Sequence, residues 1–200
     1  TWIGAMLWVE HFGLDIQRDQ ILLQSVGDQG TQAQALETGV VDCVFVDSVY
    51  SKVLKQKGMN IIAESQELKQ PLVSQSTIMP NTFLRQHPDI AEAYLKGEIE
   101  GIAFAVAPKN KAAVIKTLMR RLRVDAAAAE EGYSDMLRGV DRKPFASMEG
   151  MRNLHRLLKP RNPKISEVKV EDVVDNRIMR KLEESGFIDK VFANHGASFK

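Results

Sequence analysis

The first 75 positions predict an α/β fold with a small parallel sheet, and three observations carry that expectation. Helical and extended apolar patterns alternate over this stretch. Val40 to Val46 is a β-branched run bounded by turn residues, as expected of a strand covered on both faces. Glycines at 13, 39 and 58 stand where the helical patterns stop, the place of the left-handed residue that commonly ends a helix.

The elements follow in order. Thr1 to Phe12 reads as a helix with Thr1 as its N-cap and Gly13 as its stop, and Ile3 and Leu7 share one side. Ile21 to Val26 reads as a strand, and the polar loop Gly27-Asp28-Gln29-Gly30 follows it. Thr31 is placed to cap the next helix, where Ala33 and Leu36 recur at helical spacing. Cys43 to Val46 supplies a second strand, Ser48 to Lys57 a short helix, and Asn60 to Ala63 a third strand. This order is that of right-handed βαβ units. Ligands of such folds sit just beyond the carboxyl ends of the strands, which points to Asp47 and Ser48.

Beyond Pro80 the pattern turns helical. Asn81 or Thr82 opens a short helix ending at His87-Pro88. A longer one from Pro88 places Ile90, Tyr94, Ile102 and Ala105 on a stripe. Helices are predicted over Lys109 to Leu122, Val124 to Leu137, Met148 to Leu158 and Val173 to Ser185, with Gly139 and Gly186 as stops. Residues 1–75 and 76–200 therefore read as two units, an α/β one and a mostly helical one.

The 200 residues can bury a sizeable core. A net charge of +1 gives no general pull toward nucleic acid or an anionic membrane, and no apolar run reaches bilayer-spanning length. The basic clusters Arg120-Arg121-Arg123 and Lys159/Arg161 read as solvated faces or loops. The lone cysteine, Cys43, has no disulfide partner and reads as a small core residue.

Three stretches together resemble the substrate-binding proteins of nitrate/sulfonate/taurine-type ABC transporters. Ala35-Leu36-Glu37-Thr38-Gly39-Val40-Val41-Asp42 is similar to the Ala-Leu-x-x-Gly-x-x-Asp element of that family. The short helix ending at Lys57-Gly58 and the segment Pro80 to Asp89 follow in the family's order. The resemblance implies a type II periplasmic binding fold lacking roughly its first third. Residues 1–75 would then form most of the second, ligand-facing lobe. Residues 76–200 would return across a hinge near 74–80 to cover the first lobe. It implies a chain that is monomeric when full length, is periplasmic or lipid-anchored outside a Gram-positive cell, and is at most peripheral to the membrane. Its partners would be a small solute, a permease and an ATPase. Ligand contacts are implied at the N-terminus of the first helix and after the strand ending at Val46.

Physical chemistry gives those positions a meaning. The first amides of a helix carry partial positive charge, so Thr1 with the amides of Trp2 and Ile3 could seat an anion; capping alone is the other reading. Trp2 would add an aromatic wall or simply pack. Asp47 repels an anion and suits an amine, or else it is the N-cap of the helix after it. Asp28 and Gln29 face the cleft or belong to a surface loop. The solute is expected to be anionic or heterocyclic.

No catalytic pattern is present to read. His11, His87, His155 and His195 are scattered without zinc-ligand spacing, and no nucleophile elbow, phosphate loop or dinucleotide fingerprint occurs. Glu130 and Glu131 are neighbours on a helix and point apart. No catalysis, cofactor or metal is expected. Two alternatives remain open: an enzyme of pyrimidine or menaquinone precursor synthesis on the same fold, and the effector domain of a transcriptional regulator.

Overall fold

The computed structural model describes residues 2–64, 67, 71, 73 and 76–197. Helix is the only regular secondary structure of those residues, with 64% helix and 0% strand, so the expected α/β fold with its parallel-sheet lobe is overturned. The expected strands at 21–26, 43–46 and 60–63 are extended but unpaired. Among the described residues, 22–26, 42–46 and 60–63 exchange no backbone hydrogen bonds with one another. A β-branched run becomes a strand only when a neighbour takes up its N–H and carbonyl groups, so strand propensity is a matter of context. Exposure follows: Leu22 is 80% exposed, Ile62 70% and Val40 61%, and Cys43 lies at the surface rather than in a core.

The helices are α1 (Trp2–His11), α2 (Gln29–Glu37), α3 (Ser48–Gln56), α4 (Asn81–Gln86), α5 (Pro88–Val106) and α6 (Lys111–Leu122). They continue as α7 (Ala126–Gly139), α8 (Met148–Leu158), α9 (Val170–Val173), α10 (Arg177–Glu184) and α11 (Phe187–His195). Short 3-10 turns occupy Pro108–Asn110 and Pro163–Glu167.

Local signals explain most boundaries. Gly39 and Gly58 adopt φ of 71° and 87° just beyond α2 and α3, where a side chain would be strained. Asp125 caps α7 by accepting the Ala128 N–H at 2.8 Å, and Ser147 caps α8 by accepting the Gly150 N–H at 3.0 Å. Arg123 ends α6 in the left-handed region (φ 56°) without a glycine to mark it. The helix expected over Val173 to Ser185 begins only at Arg177, because Val173 instead ends the short α9.

The main core lies where α5 meets α10 and α11. Ile99, Ala103 and Val106 pack there on Met179, Leu182, Ile188, Val191 and Phe192. The stripe expected on α5 is corrected: Ile90 and Tyr94 are exposed, and the buried line runs through Ala91, Ile99, Ala103 and Val106. A second cluster joins Ile115 of α6 to Ala129 and Tyr133 of α7. The other side of α7 receives α3 so closely that a methyl group on Gly132 would collide with Val49 Cγ2. In turn α3 carries α2. Helix α1 lies on α8, where Arg156 donates from both terminal nitrogens to the Glu10 carboxylate at 2.8 Å. Asn153 of α8 donates to the Pro71 carbonyl at 2.9 Å.

Candidate functional site

The best-defined polar constellation among the positions singled out by sequence lies where α2 and α3 begin. Asp28 is extended (φ −74°, ψ 177°) and its Oδ1 accepts from both the N–H and the hydroxyl of Thr31 at 2.9 Å. Asp28, not Thr31, is therefore the N-cap of α2, which starts two residues earlier than Thr31. The Thr31 amide, and next its hydroxyl, hold the Asp28 carboxyl below the usual carboxylate range. Asp47 repeats the geometry at α3 (φ −74°, ψ 173°), accepting from the N–H groups of Val49 at 3.1 Å and Tyr50 at 3.2 Å.

One side chain joins the two helix starts. Gln29 Oε1 accepts the Asp47 N–H at 2.7 Å across eighteen positions of sequence. Asp28, Gln29, Asp47 and Ser48 are thus gathered at one corner, with Asp28 and Asp47 exposed and Gln29 and Ser48 half-buried. Sequence reading missed Tyr50 here. Its hydroxyl lies 3.6 Å from where a β-carbon on Gly30 would stand, so the phenol reaches the first turn of α2. The spacing held the signal, because Tyr50 is three residues after the cap of α3 and shares its end.

The remaining candidates sit on α1. Thr1 lies outside the described residues. Trp2, half-buried, is covered by the Arg161 guanidinium, whose central carbon is 4.5 Å from the ring centroid. Nothing in the local sequence linked those two residues. Gly4, two residues on, faces Phe45 closely enough that an added β-carbon would come within 2.5 Å of its ring. Since Phe45 is two residues before Asp47, the close approach at Gly4 seats α1 beside the segment that leads into the corner.

Charge decides what the corner can hold. Three of the amides that an anion would seek at the starts of α2 and α3 are already taken, Thr31 N–H by Asp28 and the Val49 and Tyr50 N–H groups by Asp47. Two carboxylates bring net negative charge, which disfavours a second anion. What remains suits a neutral or cationic partner with more N–H donors than acceptors: a second oxygen on each carboxylate and the Ser48 and Tyr50 hydroxyl oxygens can accept, and the Gln29 amide nitrogen can donate. Among the described residues no group of three or more His, Cys, Asp or Glu side chains could hold a metal ion. The four histidines stay apart, and His155 Nε2 lies 2.7 Å from the Ile165 carbonyl. No described helix is long and apolar enough to cross a membrane. Comparison with known protein families, with curated proteins and with solved structures finds no match for this chain.

Proposed function

We propose that the chain is a non-catalytic solute-binding component of an ABC importer, taking up a small amine-bearing heterocycle outside the cytoplasm and handing it to a permease and its ATPase. The observation that carries the reading is the 2.7 Å hydrogen bond from Asp47 N–H to Gln29, which holds four of the six expected contact residues, Asp28, Gln29, Asp47 and Ser48, at one corner. The similarity of Ala35 to Asp42, Lys57-Gly58 and Pro80 to Asp89 to nitrate/sulfonate/taurine-type binding proteins supports the transport role. The chemistry of the corner narrows the solute. Between an anion and a donor-rich heterocycle, two exposed carboxylates already engaged in capping favour the heterocycle.

A thermal-shift series tests this. Aminopyrimidines and other amine-bearing heterocycles are compared with nitrate, sulfate and an alkyl sulfonate at matched ionic strength. A ligand at about a hundred times its Kd stabilises by about 2.7 kcal/mol. For a chain of this size that raises Tm by roughly 5–10 °C. Tyr50→Phe and Gln29→Leu should each reduce the rise. A shift with the anions alone would overturn the solute class, and no shift with any heterocycle or anion would overturn solute binding.

A further inference from the structure

A groove of about 1510 Å³ runs between the extended segment 76–80, helices α4 and α5, and the α8 to α10 region. It exceeds the roughly 300–1,000 Å³ of ordinary small-molecule pockets. Its floor is apolar, with Phe83, Leu95, Phe145, Met151 and Ile178 among the lining side chains. Ser76, Thr77, Ile78 and Met79 line one side of it. Among the described residues, none of the N–H or carbonyl groups of those four residues bonds to another backbone group. Their fixed point is the Thr77 hydroxyl, which donates to Glu98 Oε2 at 2.8 Å. Ile78, β-branched, stands 87% exposed.

An extended segment whose edge pairs with no other backbone among the described residues, beside an apolar trough, is the arrangement that accepts an added strand. The other unpaired segments, 22–26, 42–46 and 60–63, do not line this groove. Charge adds a second constraint. Five carboxylates against two guanidinium groups line the groove. Arg177 is held by Asp175 at 2.7 Å, whereas Asp141 and Asp172 form no ion pair among the described residues.

We propose that this groove docks an extended peptide segment of a partner protein, added as a strand along Ser76 to Met79, apolar at alternate positions and basic at its ends. Backbone pairing would hold the segment, every second side chain would enter the trough, and Lys or Arg flanks would meet Asp141 and Asp172. The proposal is independent of the solute corner at α2 and α3.

The test uses fluorescence anisotropy with a labelled peptide about ten residues long, valine alternating with threonine between lysine pairs. Its companions are the same peptide N-methylated at alternate residues and a version with glutamate flanks. The parent peptide should bind the whole chain. N-methylation, which removes backbone donors and keeps the side chains, should weaken binding roughly tenfold or more, as expected for losing two or more hydrogen bonds. Ile78→Pro should do the same, and Asp141→Asn with Asp172→Asn should remove the preference for lysine over glutamate flanks. Failure of the parent peptide to bind, or equal binding of the N-methylated one to unmodified protein, would overturn the proposal. So would self-association of the free protein that Ile78→Pro abolishes, which would give the groove to a second copy.

Discussion

The seat of α3 on α7 fixes the corner at Asp47, and Gly132 with Val49 lets that seat be measured. Gly132 lies inside α7 and Val49, nearly fully buried, lies in the first turn of α3. Alanine at 132 gains about 1 kcal/mol of helix propensity. It also drives a methyl group into Val49 Cγ2, and overpacking of that kind costs about 1–3 kcal/mol. The single variant should therefore be neutral or destabilised by up to about 2 kcal/mol. Val49→Ala alone removes two buried methyl groups and leaves a gap, costing about 1.5–2.5 kcal/mol. In the double variant the new methyl occupies the space Val49 gives up. Only the propensity gain and a reduced burial loss then remain, so the double should be more stable than the sum of the singles by at least about 1 kcal/mol. Urea unfolding of the four proteins measures this coupling. Additivity within about 0.5 kcal/mol would refute the contact between α3 and α7.

Two further predictions concern the main core. Phe192 is fully buried between α5, α10 and α11, so Phe192→Ala should cost about 3–5 kcal/mol, read as a lowered urea midpoint; a loss below about 1 kcal/mol would mean α11 does not close the core. Glu92 receives Lys181 Nζ at 2.6 Å from α10 and Lys96 Nζ at 2.7 Å one turn on, and these hydrogen bonds, that of Lys181 first, lower its pKa from 4.5 to about 2. A carboxyl depressed in the folded state contributes stability that is full above its unfolded pKa and lost as pH falls through the folded one. Stability should therefore fall between about pH 4.5 and about pH 2, and Glu92→Gln should flatten the urea midpoint over that window; an unchanged slope would remove the pair from the stability of the α5–α10 contact.

How legible the fold was depended on the range of the interaction that fixes each element. Helix ends set by one capping side chain or one glycine were readable, as at Gly39, Gly58 and Gly186. Met148–Leu158 matches its expected bounds, because Ser147 caps it locally. Helix α11 went unread. Its short pattern Phe187–His195 follows Gly186 directly, and only its packing on α5 shows that Ile188, Val191 and Phe192 are core. The stripe on α5 was set one position off, since small residues such as Ala91 and Ala103 carry the contact there. At the corner, the capping alternative for Asp47 was visible from its place before a helix. Gln29 reaching Asp47, Arg161 over Trp2 and Gly4 against Phe45 join residues far apart in the chain, and no local pattern encodes them.

By itself the sequence determined where backbone donors meet nearby acceptors: the helices, most of their stops, and aspartates at helix starts, all settled within a few residues. Tertiary structure alone decided what became of Ile21 to Val26, Val40 to Val46 and Asn60 to Ala63. A β-branched run carries half of each hydrogen bond a strand requires, and the other half must come from a segment elsewhere. Among the described residues no such segment lies alongside, and the chain folds as packed helices joined by extended, unpaired connections.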